Sequence, residues 1–413
     1  MSMRFKGGVI SATPPTITPP VDGEGGSASG IWSLQTQFQN ADDWPKPVLA
    51  RELYSWGFND KGQLGLGDTA NRSSPVQVGA LTTWEKVASG GVVSFGIKTD
   101  GTMWSWGTNI YGVLGANLPY GNRSSPVQIG TLTTWAKVTA GAYDTSSGAH
   151  ALAIKTDGTL WAWGASTDGQ SGLGNTTSYS SPKQVGALTW AEVSAADKST
   201  LAIRTNGTLW AWGSGQQGVL GINSTTNRSS PTQVGSLTTW AKVSTARLSS
   251  GAIKTDGTLW TWGFNGNGQL GLGNTTSFSS PVQVGALTNW ADLSMGPVSS
   301  FAIKTDGTLW AWGYGSQGRL GLGNNTAYSS PKQVGALTNW SKVSGNARLA
   351  SPTGGVCLAL KTDGTLWSWG TNQVGQAGLG DTLFRNSPVQ VGSLTTWRNI
   401  AAGNATSLAT TKG

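Results

Sequence analysis

One cysteine, Cys357, and one histidine, His150, are the residues of this chain that could form a nucleophile and its base. No local motif of a cysteine hydrolase surrounds either residue, and no group of ligands has the spacing of a zinc site. The four glutamates are isolated, and most aspartates lie in turn sequences. A carboxylate pair that meets only in space stays open. We nevertheless expect no catalytic residue, no metal, no cofactor and no enzyme activity.

Basic side chains recur at one position, two residues before a turn, and such a ring could attract phosphates or another anionic surface. These residues are Lys98, Lys155, Arg204, Lys254, Lys304 and Lys361. The alternative, which we favour, is a solvated strand position whose charge is balanced by the aspartate of the turn. The chain has a net charge of +8 with 11% charged residues, and it contains no basic run. We therefore do not expect nucleic acid as a partner.

Glycine-rich segments such as residues 62–67 and 268–273 superficially resemble phosphate-binding loops. They recur between predicted strands, no helix follows them, and none ends in Gly-Lys-Ser or Gly-Lys-Thr. We interpret them as structural loops.

All of these positions belong to a unit that recurs along the chain. Its signature is Leu-Trp-x-Trp-Gly, and versions of it end at Gly57, Gly107, Gly164, Gly213, Gly263, Gly313 and Gly370. Successive copies are 50, 57, 49, 50, 50 and 57 residues apart, which indicates an array of similar units. An Asp-Gly or Asn-Gly pair precedes six copies. This pair predicts a two-residue hairpin turn with positive φ at both positions.

Four short strands in each unit predict an all-β fold, a seven-bladed β-propeller built from four-stranded antiparallel blades. The first unit begins at Leu53 without the hairpin strand that should precede it, whereas residues 407–411 match that strand. We expect this C-terminal strand to pair with residues 53–56. Such pairing closes the ring and removes an exposed sheet edge.

Tryptophan accounts for 22 residues, and twenty of them occupy three repeated positions. Aromatic side chains bury large apolar areas. Because the placement is periodic, we interpret these indoles as core residues rather than as a sugar-binding surface.

Residues 302–313, Ala-Ile-Lys-Thr-Asp-Gly-Thr-Leu-Trp-Ala-Trp-Gly, carry a resemblance to a known family, together with the glycine-rich loops and the Ser-Pro pairs that follow them. Over residues 53–413 the chain resembles the regulator of chromosome condensation repeat. The resemblance implies a seven-bladed propeller, and the namesake of the family acts on a small GTPase. Repeats of the family often carry a histidine before the Ala-Leu strand, a place held here by His150 alone. Separately, residues 6–15 and 28–35 are similar to amino-terminal segments of structural proteins from aquatic bacteriophages.

Residues 1–50 lie outside the repeat and contain 6 of the 16 prolines. This composition predicts an extended N-terminal arm, which we expect to dock on a partner, with the propeller at residues 51–413. The chain start lacks the apolar core of a signal peptide, and no stretch approaches the ~18 apolar residues of a membrane span. We therefore expect synthesis in a host cytoplasm and no membrane span.

Comparison of the units with one another indicates where a partner is expected. The link between the first and second strands varies most, and it is enlarged at residues 139–150 and 344–356. This link and the glycine-rich loop should emerge on one face, and loops on a rigid scaffold commonly carry binding residues. Neutral variation of tolerant loops is the alternative. The candidate binding residues on this face are Tyr111, Tyr143, Asp144, His150, Lys198, Arg247, Tyr314 and Arg348.

From these features we expect a non-enzymatic structural protein of a bacteriophage virion, such as a tail, fibre or capsid-decoration component. In this hypothesis, residues 1–50 bind other virion proteins, the variable loops bind a host-surface glycan or protein, and each particle holds several copies. Two alternatives stay open. The first is a cellular regulator of a small GTPase, which the family resemblance implies, and the second is a propeller enzyme acting on polysaccharide.

Overall fold

A computed structural model describes residues 50–141, 148–345 and 354–413. Strands and three short 3-10 helices are the regular elements of these residues. The expected N-terminal arm, at residues 1–50, lies outside the described residues except for its last residue. No helix in the described part of the chain is long and apolar enough to cross a membrane.

The strands are numbered in chain order. The first nine are β1 (Leu53–Gly57), β2 (Arg72–Gln77), β3 (Trp84–Ser89), β4 (Val93–Lys98), β5 (Met103–Gly107), β6 (Arg123–Gln128), β7 (Trp135–Gly141), β8 (His150–Lys155) and β9 (Thr159–Gly164). The next nine are β10 (Tyr179–Ala195), β11 (Ser199–Arg204), β12 (Leu209–Gly213), β13 (Arg228–Gln233), β14 (Trp240–Thr245), β15 (Ser249–Lys254), β16 (Leu259–Gly263), β17 (Phe278–Gln283) and β18 (Trp290–Met295). The last nine are β19 (Ser299–Lys304), β20 (Leu309–Gly313), β21 (Tyr328–Gln333), β22 (Trp340–Gly345), β23 (Val356–Lys361), β24 (Leu366–Gly370), β25 (Arg385–Gln390), β26 (Trp397–Ala402) and β27 (Thr406–Thr411). The 3-10 helices are Ile110–Gly112, Gln216–Gly218 and Ser316–Gly318.

These strands form seven four-stranded antiparallel blades, which confirms the predicted propeller. Blade 1 is β3–β6, blade 2 is β7–β9 with the first half of β10, and blade 3 is the second half of β10 with β11–β13. Blade 4 is β14–β17, blade 5 is β18–β21, blade 6 is β22–β25, and blade 7 combines β26, β27, β1 and β2. The first strand of each blade lines an axial cavity, and the fourth strand is outermost.

The apolar core lies between neighbouring blades. Val93 and Phe95 of blade 1, for example, pack with Trp135 and Trp163 of blade 2. The rings of Phe95 and Trp163 meet edge to face with centroids 5.9 Å apart. Because alternate residues of a strand point to opposite faces, a blade packed between two neighbours must be apolar on both. This explains why every residue of β4, Val93–Lys98, is buried.

The second tryptophan of each signature joins its blade to the preceding one. Trp312 of blade 5, which is fully buried, donates its Nε1–H to the carbonyl oxygen of Gln269 in blade 4 at 2.8 Å. All seven copies make the same bond, with N···O distances of 2.7–3.1 Å. Gly271 fits against the indole because a Cβ at this position would lie 2.8 Å from Nε1 of Trp312. The glycine-rich loops are therefore structural connections between blades.

The hairpin turns differ from the expected two-residue type. Gly101 donates its N–H to the carbonyl oxygen of Lys98, and Lys98 donates its N–H to that of Thr102, each at 3.0 Å. Gly101 has φ of +78°, whereas Asp100 is not among the residues with positive φ. The turn is thus a type I turn followed by a left-handed glycine, which is the usual three-residue hairpin loop. The expectation of positive φ at the aspartate was wrong because the loop contains one more residue.

Blades 2 and 3 share one continuous strand, the 17-residue β10, Tyr179–Ala195. The connection between blades is one residue shorter here, since Gly186-Ala187-Leu188-Thr189 precedes Trp190 where other copies have an additional residue. This shortening corresponds to the 49-residue step in the repeat. The shorter connection remains extended, and the two sheets merge into one of seven strands.

Ring closure is confirmed in blade 7. The strand β1 pairs antiparallel with β27 from Leu53 opposite Thr410 to Gly57 opposite Thr406. Arg51 takes the place that a turn glycine has at the other junctions, because Trp84 donates its N–H to the carbonyl oxygen of Arg51 at 2.9 Å. An ion pair also crosses this junction, with Arg398 Nη2 2.8 Å from Glu85 Oε1.

The basic ring, formed by Lys98, Lys155, Arg204, Lys254, Lys304 and Lys361, is part of the scaffold. The ammonium nitrogens of its five lysines lie 3.6–3.8 Å from the ring centroid of the first tryptophan in the following signature. They also lie 5.1–5.4 Å from the ring of the first-strand tryptophan, which is cation–π geometry. Burial lowers the pKa of Lys98 and Lys361. The expected solvated position is therefore wrong for Lys98, Lys304 and Lys361, which are buried beside two indoles. The expected interaction with the turn aspartate is present, since Asp100 and Asp363 partly offset the effect of burial on the pKa of Lys98 and Lys361.

Candidate functional site

The propeller has two faces that carry different kinds of loop. The links between first and second strands lie beside the starts of the glycine-rich loops, since Ser214 donates its N–H to the carbonyl oxygen of Lys198 at 2.8 Å. Tyr314 likewise donates its N–H to the carbonyl oxygen of Val298 at 2.9 Å. We call this side the loop face. The opposite side, the turn face, carries the Asp-Gly turns and the connections between blades.

Charged residues form a row across three neighbouring blades of the loop face. Lys198 Nζ of blade 3 lies 3.1 Å from Asp168 Oδ2 of blade 2. Arg247 Nε of blade 4 lies 3.6 Å from Asp197 Oδ2 of blade 3. The side chains of Lys198 and Arg247 are 38% and 44% exposed. We call Asp168, Lys198, Asp197 and Arg247 the charge row.

The charge row interrupts the near-symmetry of the ring. The corresponding links contain Gly90 and Gly91 in blade 1, Pro297 in blade 5 and Asn404 in blade 7, none of which is charged. Asp197 and Arg247 also line the axial cavity, whose volume is about 250 Å³. Of the predicted binding residues, Arg247 thus lines this cavity, and Lys198 directly follows the lining residue Asp197 in the neighbouring link.

The two described tyrosines of the prediction are half-buried on the same face. Tyr111 packs over the link of blade 2, because a Cβ at Gly148 would lie 2.7 Å from its Cδ2. The ring of Tyr314 lies 5.6 Å from the guanidinium carbon of Arg319. Arg319 is buried and donates from Nη2 to Gln317 Oε1 at 2.8 Å, and burial lowers its pKa. These tyrosines are on the loop face but outside the charge row.

His150 is not on the surface. It is fully buried, with Nε2 3.0 Å from the hydroxyl of Thr200 in blade 3. Burial lowers the pKa of His150 to about 3, so the ring is neutral at physiological pH. Its placement among the binding residues is therefore corrected: the side chain fills a junction between blades. Tyr143, Asp144 and Arg348 lie outside the described residues.

His150 and Cys357 lie in different junctions of the ring, so they do not form a nucleophile and its base. Cys357 is buried in the core between blades 5 and 6, and burial raises the pKa of its thiol well above the usual value. No three His, Cys, Asp or Glu side chains come together as metal ligands in the part of the chain that the structure describes.

A ring of seven polar side chains on the first strands, six of them charged, was not recognised from the sequence. Lys242 Nζ of blade 4 lies 3.1 Å from Asp292 Oδ1 of blade 5, and Lys137 pairs with Glu192 across blades 2 and 3. The side chains therefore connect neighbouring blades. The signal was present in the sequence, because the third residue of the first strand changes between units. The seven residues at this position are Lys86, Lys137, Glu192, Lys242, Asp292, Lys342 and Asn399.

The turn aspartates make the fold sensitive to acid. Thr308 donates both its hydroxyl, at 2.7 Å, and its N–H, at 2.9 Å, to Asp306 Oδ1. The threonine hydroxyl, followed by the backbone N–H, lowers the pKa of Asp306. The pKa values of the other four turn aspartates are lowered as well. Asn206 accepts the same two hydrogen bonds from Thr208 without a charge.

Replacing the turn aspartates with asparagine is expected to flatten the acid limb of the stability profile. A folded pKa below the unfolded value of about 3.9 stabilises the fold above that pH, and this contribution is lost as the pH falls through the folded pKa. The difference in melting temperature between the natural chain and the variant should therefore shrink between about pH 5 and pH 2. A difference that stays constant with pH would contradict this role. The five substitutions are Asp100→Asn, Asp157→Asn, Asp256→Asn, Asp306→Asn and Asp363→Asn.

Comparison with known families decides the classification. The model of the Regulator of chromosome condensation (RCC1) repeat matches residues 52–97, 100–146, 157–203, 206–253, 256–303, 306–347 and 363–410. The chain belongs to the RCC1 repeat family. The match begins at residue 52, so the resemblance of residues 6–15 and 28–35 to bacteriophage proteins gains no support from it.

Curated relatives share part of the RCC1 repeat region. The human protein named Probable E3 ubiquitin-protein ligase HERC6 is 33% identical over 140 residues, which is 32% of this chain and 13% of that protein. Human HERC3, named in the same way, is 31% identical over 157 residues, or 37% of this chain and 14% of that protein. The alignments thus span about one seventh of these relatives.

Solved RCC1-type structures match most of the chain. Human WBSCR16 superimposes with a TM-score of 0.75 at 20% identity, covering 88% of this chain and 99% of that one. Prp20p of Saccharomyces cerevisiae superimposes with a TM-score of 0.75 at 19% identity, covering 88% of this chain and 92% of that one. Prp20p is described as binding Gsp1p and histones. Another structure shows yeast RCC1 (Prp20) with Kap60 bound. At these identities the likeness shows the fold.

The comparisons correct four functional expectations. The relatives and solved structures described above are human and yeast proteins, so the expectations of a bacteriophage virion protein and of a virion location were wrong. The partners named for Prp20p are Gsp1p and histones, not virion proteins or a host surface. The expectation that the chain has no enzyme activity was also wrong, because matching relatives are named as probable E3 ubiquitin-protein ligases. Their match covers only the RCC1 repeats.

Proposed function

We propose that the chain is a cellular regulator whose propeller binds a folded protein partner, a small GTPase, through the loop face. Membership of the RCC1 repeat family supports this proposal, and so does the named binding of Prp20p to Gsp1p. The observation that carries it is the charge row, because the links of blades 1, 5 and 7 hold no charged residue at the corresponding place.

The geometry of the charge row suits recognition of a polar protein surface. Arg247 and Lys198 are each partly exposed. The Lys198–Asp168 pair is of the partly exposed kind that contributes little to stability. Their charges can therefore meet complementary charges of a partner, where they chiefly set orientation and the rate of association. The rigid blades beneath hold the row in place.

Nucleotide release from small GTPases tests this function. A panel loaded with fluorescent GDP, including Gsp1p, is mixed with the chain, and affinity and release rate are measured. We expect Lys198→Ala with Arg247→Ala to weaken binding of the responsive GTPase by roughly tenfold or more. The same variant should slow release while it stays folded at the temperature of the assay.

The matched control lies on the turn face. Asp256→Asn with Leu237→Ser changes one exposed residue in the hairpin turn of blade 4, the blade that carries Arg247, and one in the connection that leads into this blade. It should leave binding unchanged. Failure of every GTPase to bind, or an equal loss in the control variant, would contradict the proposal. The lysines above the tryptophans are unsuitable controls because their replacement would disturb the core.

A further inference from the structure

The first strands of the blades carry two levels of hydrogen-bond donors around the axis of the propeller. Each first strand starts at the turn face, as Trp135 shows by donating its N–H to the carbonyl oxygen of the turn residue Gly101 at 3.2 Å. Residues from the fourth onwards line the axial cavity, beginning in blade 1 with Val87. The third residue of the strand therefore lies on the turn-face side of the cavity lining.

Hydroxyl groups form the level inside the cavity, at the fifth residue of the first strand. The residues that line the cavity in this way are Thr139, Ser194, Ser294 and Ser344. Each accepts a backbone N–H of the next blade, and Ser344 Oγ lies 2.9 Å from the nitrogen of Ala402. Within the described part of the chain, Thr139, Ser194 and Ser344 donate to no other group. Their hydroxyl protons are therefore available to a molecule in the cavity.

Lysines form the second level, at the third residue of the strand. They are Lys86, Lys137, Lys242 and Lys342. The blades that follow Lys137 and Lys242 supply a carboxylate as partner, Glu192 and Asp292. The blade that follows Lys86 supplies another lysine, and the one that follows Lys342 supplies Asn399, whose Oδ1 lies 2.7 Å from Nζ. At this level, two carboxylates thus face four ammonium groups.

The positive charges of this level are close enough to act on one another. Burial, followed by the charge of Lys137, lowers the pKa of Lys86. Burial, followed by the charge of Arg398, lowers the pKa of Lys342. Glu85 acts in the opposite direction on both lysines, but it is already paired with Arg398 at 2.8 Å. Positive charge therefore accumulates across blades 6, 7, 1 and 2, where an external anion would relieve the repulsion.

We propose that the turn-face end of the axial cavity binds a phosphate group. The third and fifth residues of a strand point to the same side and lie about 7 Å apart. An anion between the two levels therefore accepts hydrogen bonds from the ammonium groups of Lys86 and Lys342 and from the hydroxyls of Thr139, Ser194 and Ser344. Ammonium and hydroxyl groups are common donors to phosphate oxygens.

The size of the cavity decides the kind of ligand. Its volume of about 250 Å³ has room for a small molecule and not only for single waters, but it does not admit a folded protein. The phosphate group therefore belongs to a small soluble compound, either free phosphate or an organic phosphate. This inference goes beyond binding at the loop face and holds whether or not the partner there is a GTPase.

Isothermal titration calorimetry of the full chain tests this site. Inorganic phosphate is titrated at constant ionic strength against sodium chloride, and inositol trisphosphate is titrated in a second series. The ring variant carries Lys86→Gln with Lys342→Gln, whose amides still donate to the carbonyl oxygens that the two lysines contact in the next blade. The matched control carries Lys183→Gln with Lys332→Gln. It makes the same change of net charge at two exposed positions of outermost strands.

The natural chain should bind one phosphate saturably, and its affinity should fall with rising salt concentration. The affinity should be at least tenfold lower for the ring variant and unchanged for the control. Tighter binding of inositol trisphosphate would support the site with an organic phosphate as its ligand, and equal or weaker binding would support it with free phosphate. The absence of saturable binding to the natural chain would overturn the proposal, whatever the stability of the ring variant. An equal loss in both variants would also overturn it, because the attraction is then a general effect of net charge.

Discussion

A chain that lacks residues 405–413 is expected to lose its native fold or to melt on the order of 10 °C or more below the complete protein. These residues contain β27, which lies between β1 and β26 and is buried along its whole length. Without it, β1 and β2 lose their connection to the rest of blade 7, and Trp56 loses part of its packing. Two sheet edges are then exposed, which favours aggregation.

Differential scanning calorimetry and size-exclusion chromatography measure this effect. The control is a chain shortened only by Lys412 and Gly413, which retains every residue of β27. It should melt within a few degrees of the complete protein. A chain without residues 405–413 that unfolds cooperatively at the original temperature would show that the ring does not depend on this closure.

The second large effect is expected from Gly271→Ala, which should destabilise the protein by about 3 kcal/mol or more. Gly271 has φ of +75°, and its new Cβ would lie 2.8 Å from Nε1 of Trp312. The indole is fully buried, and its ring lies 6.3 Å from that of Trp290. It therefore has little room to move away without breaking its hydrogen bond to Gln269.

Gly285→Ala is the matched control for this substitution. Gly285 also has positive φ, +60°, but a Cβ there would have no atom within 4 Å. Its cost should be limited to backbone strain of roughly 1–2 kcal/mol. The difference between the two variants in chemical denaturation thus isolates the contact with Trp312. Equal destabilisation of both would show that the tryptophan and the glycine-rich loop are not tightly fitted.

The blade architecture could be predicted because the period of the sequence is also the period of the structure. The place of Trp312 in its signature indicated core, and the incomplete first unit at Leu53 indicated pairing with residues 407–411. Both follow from local pattern and from the cost of an open sheet edge. Less could be predicted where one residue changes the backbone. The turn at Asp100 contains one more residue than expected, and the continuous β10 results from one residue fewer.

The candidate site was partly predictable for a related reason. Lys198 and Arg247 lie in links that differ between units, and variation against a constant scaffold indicates surface loops. His150 met the same criterion but is buried, because its position is the first residue of β8 rather than part of the link. The bacteriophage hypothesis failed because it gave two short segments outside the repeat more weight than the repeats themselves, which cover most of the chain.

Hydrogen–deuterium exchange of the full chain, with and without a bound small GTPase, is the most direct measurement of loop-face binding. Complex formation should slow exchange in the links around residues 196–198 and 246–248, where the charge row lies. The Asp-Gly turns, such as residues 305–307 on the turn face, should exchange at the same rate in both states. Slower exchange at the turns, with no change in the links, would place the partner on the opposite face and contradict the proposed function.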